Sequence, residues 1–122
     1  MRRGEVTSLE LVEAAIARIE AAAVLNAVVT PTFEVARAAA SAPLPDGPLA
    51  GVPFLVKDFV TEWAGVRFTE GSRCAGDYVS PADQELAARF RRAGLVLCGK
   101  TNTSEFGLTM TTEPARFGPT LN

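Results

Sequence analysis

The chain has 122 residues, of which 48% are hydrophobic; this suits one small folded domain and argues against disorder. The formal net charge is −2 with interspersed charges, so no basic patch indicates binding to nucleic acid or to an anionic membrane. The absence of histidine excludes Ser-His-Asp and Cys-His catalysis, and every histidine-containing metal site, within these residues.

The clearest predicted helix runs from Thr7 to about Ala23. Its apolar residues recur at steps of three and four and build one stripe: Leu9, Val12, Ile16, Ile19 and Ala23. Thr7 and Glu10 have the spacing of a capping box. A second, alanine-rich helix is predicted from Phe33 to Ala40 behind Thr32, and the prolines that follow exclude further helix.

Two short apolar strands follow, Val52–Val56 and Leu95–Cys98, and a helix is predicted between them. Consecutive apolar residues indicate strands that are buried on both faces. We expect Ser80 to cap the helix, Pro81 to be its first residue and Gly94 to end it. The predicted buried side of this helix comprises Leu86, Phe90 and Ala93. The order strand, helix, strand predicts a right-handed crossover and a parallel pair, and therefore an α/β fold.

Residues 58–79 show no regular pattern, and glycines interrupt them. A loop of this length in a compact domain is usually functional or passes over a neighbouring element. Because it begins directly after Lys57, we expect it to form one wall of a cleft. Further on, Asn102 and Glu105 have the spacing that starts a helix or a turn.

No segment predicts export or insertion into a membrane. No apolar run approaches the roughly 20 residues of a membrane helix, and the N-terminus lacks the apolar core of a signal peptide. We therefore expect a cytoplasmic protein. The two cysteines, Cys74 and Cys98, lack the CxxC spacing of zinc and redox sites, and we expect Cys98 to be a small core residue.

A single lysine, Lys57, ends the apolar run Gly51–Val56. Desolvation penalises the ammonium form of a lysine and lowers its pKa, so a lysine at the end of a buried strand can serve as a base near neutral pH. Alternatively, Lys57 turns outward to solvent or pairs with Asp58. Lys100 also ends an apolar strand, so spacing alone does not distinguish the two lysines.

Several segments, in order along almost the whole chain, together resemble the amidase signature family. They are Leu49–Pro53 with Lys57-Asp58, Gly71–Arg73, Arg92–Leu97, Gly99–Gly107, Thr111–Pro114 and Phe117–Asn122. Members of this family hydrolyse or transfer amides with a Ser–Ser–Lys triad. The resemblance implies that residues 1–122 are the N-terminal portion of a single amidase domain, in which helices cover a mixed sheet.

The resemblance also implies the roles of particular residues. Lys57 corresponds to the triad lysine, which leaves Lys100 as a structural or surface residue. Gly107, Leu108 and Thr109 fall on the acyl side of the substrate pocket; the alternative is an ordinary loop in which Gly107 is a turn residue. The implied substrate is a small-molecule amide, without a metal, a cofactor, nucleic acid or a membrane, and the full-length protein could form a homodimer.

The sequence departs from the family pattern at its end. In family members, a Gly/Ser-rich stretch with the bridging serine follows the segment that resembles Phe117–Asn122, and the nucleophilic serine comes later. No Gly-Ser-Ser-Gly occurs in the 122 residues. We therefore expect a truncated chain that carries the lysine base but neither serine, and that is inactive alone.

Two alternatives to a truncated stand-alone amidase remain open. One is a fragment of the catalytic subunit of a tRNA-dependent amidotransferase, and the other is a non-functional remnant. Gly71–Arg73 and Thr111–Pro114 resemble stand-alone amidases more closely, including the type that opens cyclic 6-aminohexanoate dimers.

Overall fold

The computed structural model describes residues 5–122, which form a three-stranded sheet between helices. The helices are α1 (Ser8–Ala21), α2 (Phe33–Ser41) and α3 (Glu85–Arg92), and the strands are β1 (Val28–Pro31), β2 (Pro53–Lys57) and β3 (Val96–Thr101). The strand order is β1-β3-β2, with β3 antiparallel to β1 and parallel to β2. The predicted α/β class and the parallel pair are confirmed.

The central strand β3 joins two hydrophobic clusters, because its side chains alternate between the two faces of the sheet. Val96 and Cys98 pack on one face with residues of α1 and α2: Val12, Ile16 and Ala36. Leu97 packs on the other face with Val56, Trp63, Val66 and Ala87. This confirms that β3 is buried on both faces and that Cys98 is a core residue, whereas Cys74 is exposed.

Strand β2 is less buried than predicted. Phe54 and Leu55 are half-buried, and Val56 is the buried residue of this strand. The reason is its place in the described sheet, where β2 pairs with β3 on one side and forms an edge on the other. An edge strand receives cover from fewer neighbours than a central strand does.

Helix α1 begins as its capping box predicts. The backbone N–H of Glu10 donates to Thr7 Oγ1 (3.2 Å), and the N–H of Thr7 donates to Glu10 Oε2 (2.7 Å). Val12 and Ile16 are buried, but Leu9 at the start of the predicted stripe is exposed. The helix ends at Ala21, and Ala23 lies in the 3₁₀ turn Ala23–Leu25.

The predicted start of α3 is wrong. Ser80 and Pro81 lie outside the helix, which begins at Glu85 with Gln84 as N-cap. Ser80 is buried instead, and its backbone pairs with the preceding loop: its N–H donates to Val66 O (3.1 Å), and its carbonyl accepts from Gly65 N (2.9 Å). These tertiary hydrogen bonds override the local capping signal.

The sequence predicts the buried side and the end of α3 better than it predicts the start of this helix. Ala87 rather than Leu86 is fully buried, while the half-buried Phe90 packs edge-on against Phe54 with ring centroids 4.8 Å apart. Gly94 follows the helix with a φ of +82°, as expected of a glycine that ends a helix. No helix within residues 5–122 is long and apolar enough to cross a membrane.

Candidate active site

Lys57 is the last residue of β2, and its side chain is exposed. Its Cα partner on β3 is Thr101. Within the described residues Lys57 is therefore open to solvent, whereas the sequence predicted that the end of a buried strand would remove it partly from water. Lys57 does not pair with Asp58, because the Asp58 carboxylate pairs with Lys100.

Lys100 and Asp58 form a buried ion pair beneath the end of the sheet. Both side chains have no exposed surface, and Lys100 Nζ lies 2.9 Å from Asp58 Oδ1. Nζ also lies 4.3 Å from the centroid of the Phe68 ring. The described residues give Nζ no hydrogen-bond acceptor other than the Asp58 carboxylate. Burial lowers the pKa of Lys100 below its usual value, and Asp58 partly offsets this.

The loop of residues 58–79 begins at this pair and is held by it. Asp58 Oδ1 accepts from Thr69 N (3.2 Å), and Asp58 Oδ2 accepts from Thr69 Oγ1 (2.5 Å). The Thr69 hydroxyl oxygen in turn accepts from Gly71 N (3.2 Å). A Cβ on Gly71 would lie 2.8 Å from Thr103 O, so only glycine lets the loop come this close to the segment after β3.

Further contacts tie the same loop to the residues after β3. Ser72 Oγ donates to Glu105 Oε1 (2.6 Å), and Phe106 N donates to Glu70 O (2.8 Å). The loop and residues 102–107 are therefore in direct contact at the carboxyl ends of β2 and β3. Lys57, at the end of β2, occupies the same end of the sheet.

The predicted substrate-binding residues Gly107, Leu108 and Thr109 lie in and after the 3₁₀ turn Glu105–Gly107. Leu108 (80% exposed) and Thr109 line an open groove of about 580 Å³, together with Ser104, Glu105, Phe106, Glu113, Pro114 and Ala115. Gly107 does not line this groove. Its φ is +68°, and a Cβ there would lie 2.8 Å from the Phe59 ring, so Gly107 also fits the alternative role of a turn residue.

Asn102 does not start the turn, contrary to the sequence-based expectation; Ser104 is the N-cap of that turn. Asn102 Nδ2 instead donates to Gly118 O (3.1 Å) and to Thr120 Oγ1 (3.0 Å), so its side chain holds residues 118–120 near the end of β3. Phe106 is a lining residue that no sequence pattern singled out, and the sequence indicated Glu105 only as a residue of a turn.

No sequence pattern links Lys100 to Asp58. Lys100 lies at the end of an apolar strand and Asp58 directly follows Lys57, so the sequence relates each of them to Lys57, Lys100 as the rival base and Asp58 as the alternative partner. Thr69 lies in a loop without any regular pattern. The signal that could have found the pair is the position of Lys100 in β3 directly after four buried residues without a polar side chain, since a buried lysine needs a carboxylate.

Comparison with known proteins indicates the family of the chain. Residues 10–122 match the amidase family. The chain is 43% identical over its whole length to the 6-aminohexanoate-cyclic-dimer hydrolase of Paenarthrobacter ureafaciens. It is 44% identical, over 98% of its length, to a subunit of the glutamyl-tRNA(Gln) amidotransferase of Deinococcus deserti. In both cases it covers 25% of the relative.

Solved structures give the same result for the fold. A structure of 6-aminohexanoate cyclic dimer hydrolase superposes with a TM-score of 0.92 at 42% identity, over 99% of this chain and 25% of that one. The chain thus spans about a quarter of the length of the relatives that it matches. From the family match over residues 10–122 and this likeness in fold, we conclude that the chain belongs to the amidase family.

Proposed function

We propose that this chain is the part of a Ser–Ser–Lys amidase that carries the lysine base, and that Lys57 is that base. The observation that carries the proposal is the match of the whole chain to one quarter of a cyclic-dimer hydrolase. The exposed amine of Lys57 at the end of an edge strand supports it, because a base must reach a reacting group that the rest of an amidase domain supplies.

The chemistry follows from the weakness of amides as electrophiles. A serine hydroxyl needs an adjacent base to attack an amide, and a neutral lysine serves in Ser–Lys variants of the triad. Lys57 would accept the proton of the nucleophilic serine through a bridging serine, and would later return it to the departing amine. Such proton transfer contributes on the order of 10²–10⁴ in rate.

Burial argues against Lys100 in this role. Its side chain has no exposed surface, and its amine faces Asp58 and the Phe68 ring. A general base has to lie within hydrogen-bond reach of the proton that it takes, directly or through one water. An amine enclosed between β3 and the loop does not meet this requirement, although burial lowers its pKa.

The likeness to an amidotransferase supports a second candidate. The identity to the Deinococcus deserti protein is 44%, as high as that to the hydrolase. In this case the same lysine would release ammonia from an amide inside a complex with other subunits. A non-functional remnant is the third candidate, and it predicts no activity in any context.

A chimera tests these candidates. The chain replaces the matching quarter of the 6-aminohexanoate-cyclic-dimer hydrolase, which supplies both serines. We expect the chimera to hydrolyse the cyclic dimer or a simple aryl amide, and the isolated 122-residue chain to hydrolyse neither. The parent hydrolase is the positive control. The variant of this hydrolase in which alanine replaces the nucleophilic serine is the negative control.

The outcomes separate the three candidates. Turnover by the chimera supports the amidase proposal. A folded chimera without amidase activity contradicts it. In that case the chain is placed in the same way into the amidotransferase, and glutamine-dependent transfer to the glutamylated tRNA distinguishes the second candidate from a remnant.

A further inference from the structure

We propose that the buried pair of Lys100 and Asp58, with Thr69, positions Lys57. In this account the pair fixes the backbone where the chain leaves β2, and so sets the direction in which the Lys57 side chain points. The inference rests on the proposed function of Lys57 and assigns a role to three residues that do not themselves reach the substrate.

The first argument is that Asp58 is fixed through both its backbone and its side chain. Its N–H donates to Thr101 O (2.9 Å), which continues the pairing of β2 with β3 by one residue. Its carboxylate contacts Lys100 and accepts two hydrogen bonds from Thr69. A residue held in this way has little freedom of rotation, and the peptide that joins it to Lys57 shares that restriction.

The second argument is the position of Lys57 between two buried neighbours. Val56 before it packs in the hydrophobic cluster against α3, and Asp58 after it is fully buried. Side chains alternate in an extended chain, so anchors on both sides direct Lys57 to the opposite face. Its Cα partner is Thr101, next to Lys100 on the central strand.

The third argument concerns the role of a buried ion pair. Removing two charges from water costs about as much as their attraction returns, and an apolar pair of similar volume is often as stable. Stability alone therefore does not explain a fully buried lysine and aspartate at the carboxyl end of β3. A charged pair with hydrogen bonds from Thr69 fixes the orientation of the Asp58 side chain more closely than an apolar contact would.

The experiment uses the chimera defined above and the double variant Asp58→Asn/Lys100→Met. This variant removes both charges together and leaves neither one buried alone. We expect kcat to fall roughly a hundredfold, as a displacement of about 1 Å at a reacting group does, while KM stays within about twofold. We expect its melting temperature to stay close to that of the unsubstituted chimera.

The matched control is a second ion pair that holds the same loop at a different point. Asp83 Oδ2 accepts from Arg91 Nε (2.7 Å), and Asp83 Oδ1 accepts from Ala64 N (2.8 Å). The variant Asp83→Asn/Arg91→Met therefore loosens the loop at Ala64 and removes none of the contacts of Asp58. We expect it to keep the kcat of the unsubstituted chimera.

Two outcomes would overturn the inference. One is a kcat of the Asp58→Asn/Lys100→Met variant equal to that of the unsubstituted chimera; the other is an equal loss in the Asp83→Asn/Arg91→Met control. If the double variant does not fold, Thr69→Val takes its place, because it removes the hydroxyl that donates to Asp58 Oδ2 and accepts from Gly71 N, and keeps the ion pair. It should lower kcat about tenfold at constant KM, and an unchanged kcat would contradict us. A folded but inactive unsubstituted chimera would instead contradict the proposed amidase function on which the inference rests.

Discussion

At the scale of single residues, the two lysines of the sequence have different environments although both end an apolar strand. Within residues 5–122, Lys57 ends a strand at the edge of the sheet and is exposed, whereas Lys100 lies near the end of the central strand and is fully buried beside Asp58. The environment of each amine thus follows from the place of its strand in the sheet. Strand order is a tertiary property, and the spacing of apolar residues does not encode it.

Amine-reactive labelling of the 122-residue chain makes this difference measurable, since it has only these two lysines. We expect acetic anhydride to modify Lys57 rapidly at pH 8 and Lys100 only after unfolding, because the latter amine is enclosed. Peptide mass spectrometry reads the two sites separately, and denaturant provides the control in which both react. Equal rates under native conditions would show that the buried pair does not form.

Replacing Lys100 by alanine should destabilise the chain strongly. The variant leaves Asp58 buried without its cation, and breaking a buried pair on one side costs about 3–5 kcal/mol. Urea unfolding followed by circular dichroism measures the loss, with the double variant Asp58→Asn/Lys100→Met as control. A loss below about 1 kcal/mol for the alanine variant would contradict the burial of the pair.

At the scale of elements, local sequence signals predicted the end of a helix correctly where the contacts at that end are local. The capping box of Thr7 and Glu10 predicted the start of α1, and Gly94 predicted the end of α3. The start of α3 could not be predicted in this way, because Ser80 pairs with Val66 from the preceding loop. When a residue has a capping pattern but also forms tertiary hydrogen bonds, the tertiary hydrogen bonds determine its position.

Two glycines with similar backbone angles allow a matched test of the end of α3. Gly94 (φ +82°) and Gly65 (φ +76°) both disfavour a side chain, but only a Cβ on Gly94 would meet a neighbour, at 2.7 Å from Ala50 Cα. Gly94→Ala should therefore lower the free energy of unfolding by more than Gly65→Ala does, for which the backbone alone predicts a loss of roughly 1 kcal/mol. Equal losses in thermal melts of the two variants would argue against close packing of Gly94 on residue 50.

The pair of Asp83 and Arg91 predicts a particular acid sensitivity. The hydrogen bond from Arg91 lowers the pKa of Asp83 below its usual 3.8. The contribution of this group to the free energy of unfolding is thus complete above pH 3.8 and is lost as pH falls through the lower folded value. The difference in stability between the chain and Asp83→Asn should be constant near neutral pH and shrink below pH 3.8. Urea unfolding at several pH values measures this difference. An increase of the difference on acidification would contradict the prediction.

At the scale of the whole molecule, the sequence allowed the fold class and the family to be predicted, but less of the site. Lys57 was singled out by resemblance, and the groove that Leu108 and Thr109 line depends on contacts of the turn with residues 70–72. The network of Asp58, Lys100 and Thr69 brings together residues up to 42 positions apart. Such contacts leave no local pattern.

The central claim is that Lys57, and not Lys100, is the base of an amidase. The most direct measurement is kcat on one amide substrate for the chimeras with Lys57→Ala and with Lys100→Met, at a temperature where both are folded. We predict a loss of about 10⁴-fold for Lys57→Ala, at the upper end of what proton transfer contributes, because no neighbouring group replaces the proton acceptor. We predict a loss of at most about a hundredfold for Lys100→Met. Equal losses, or a larger loss for Lys100→Met, would contradict the account.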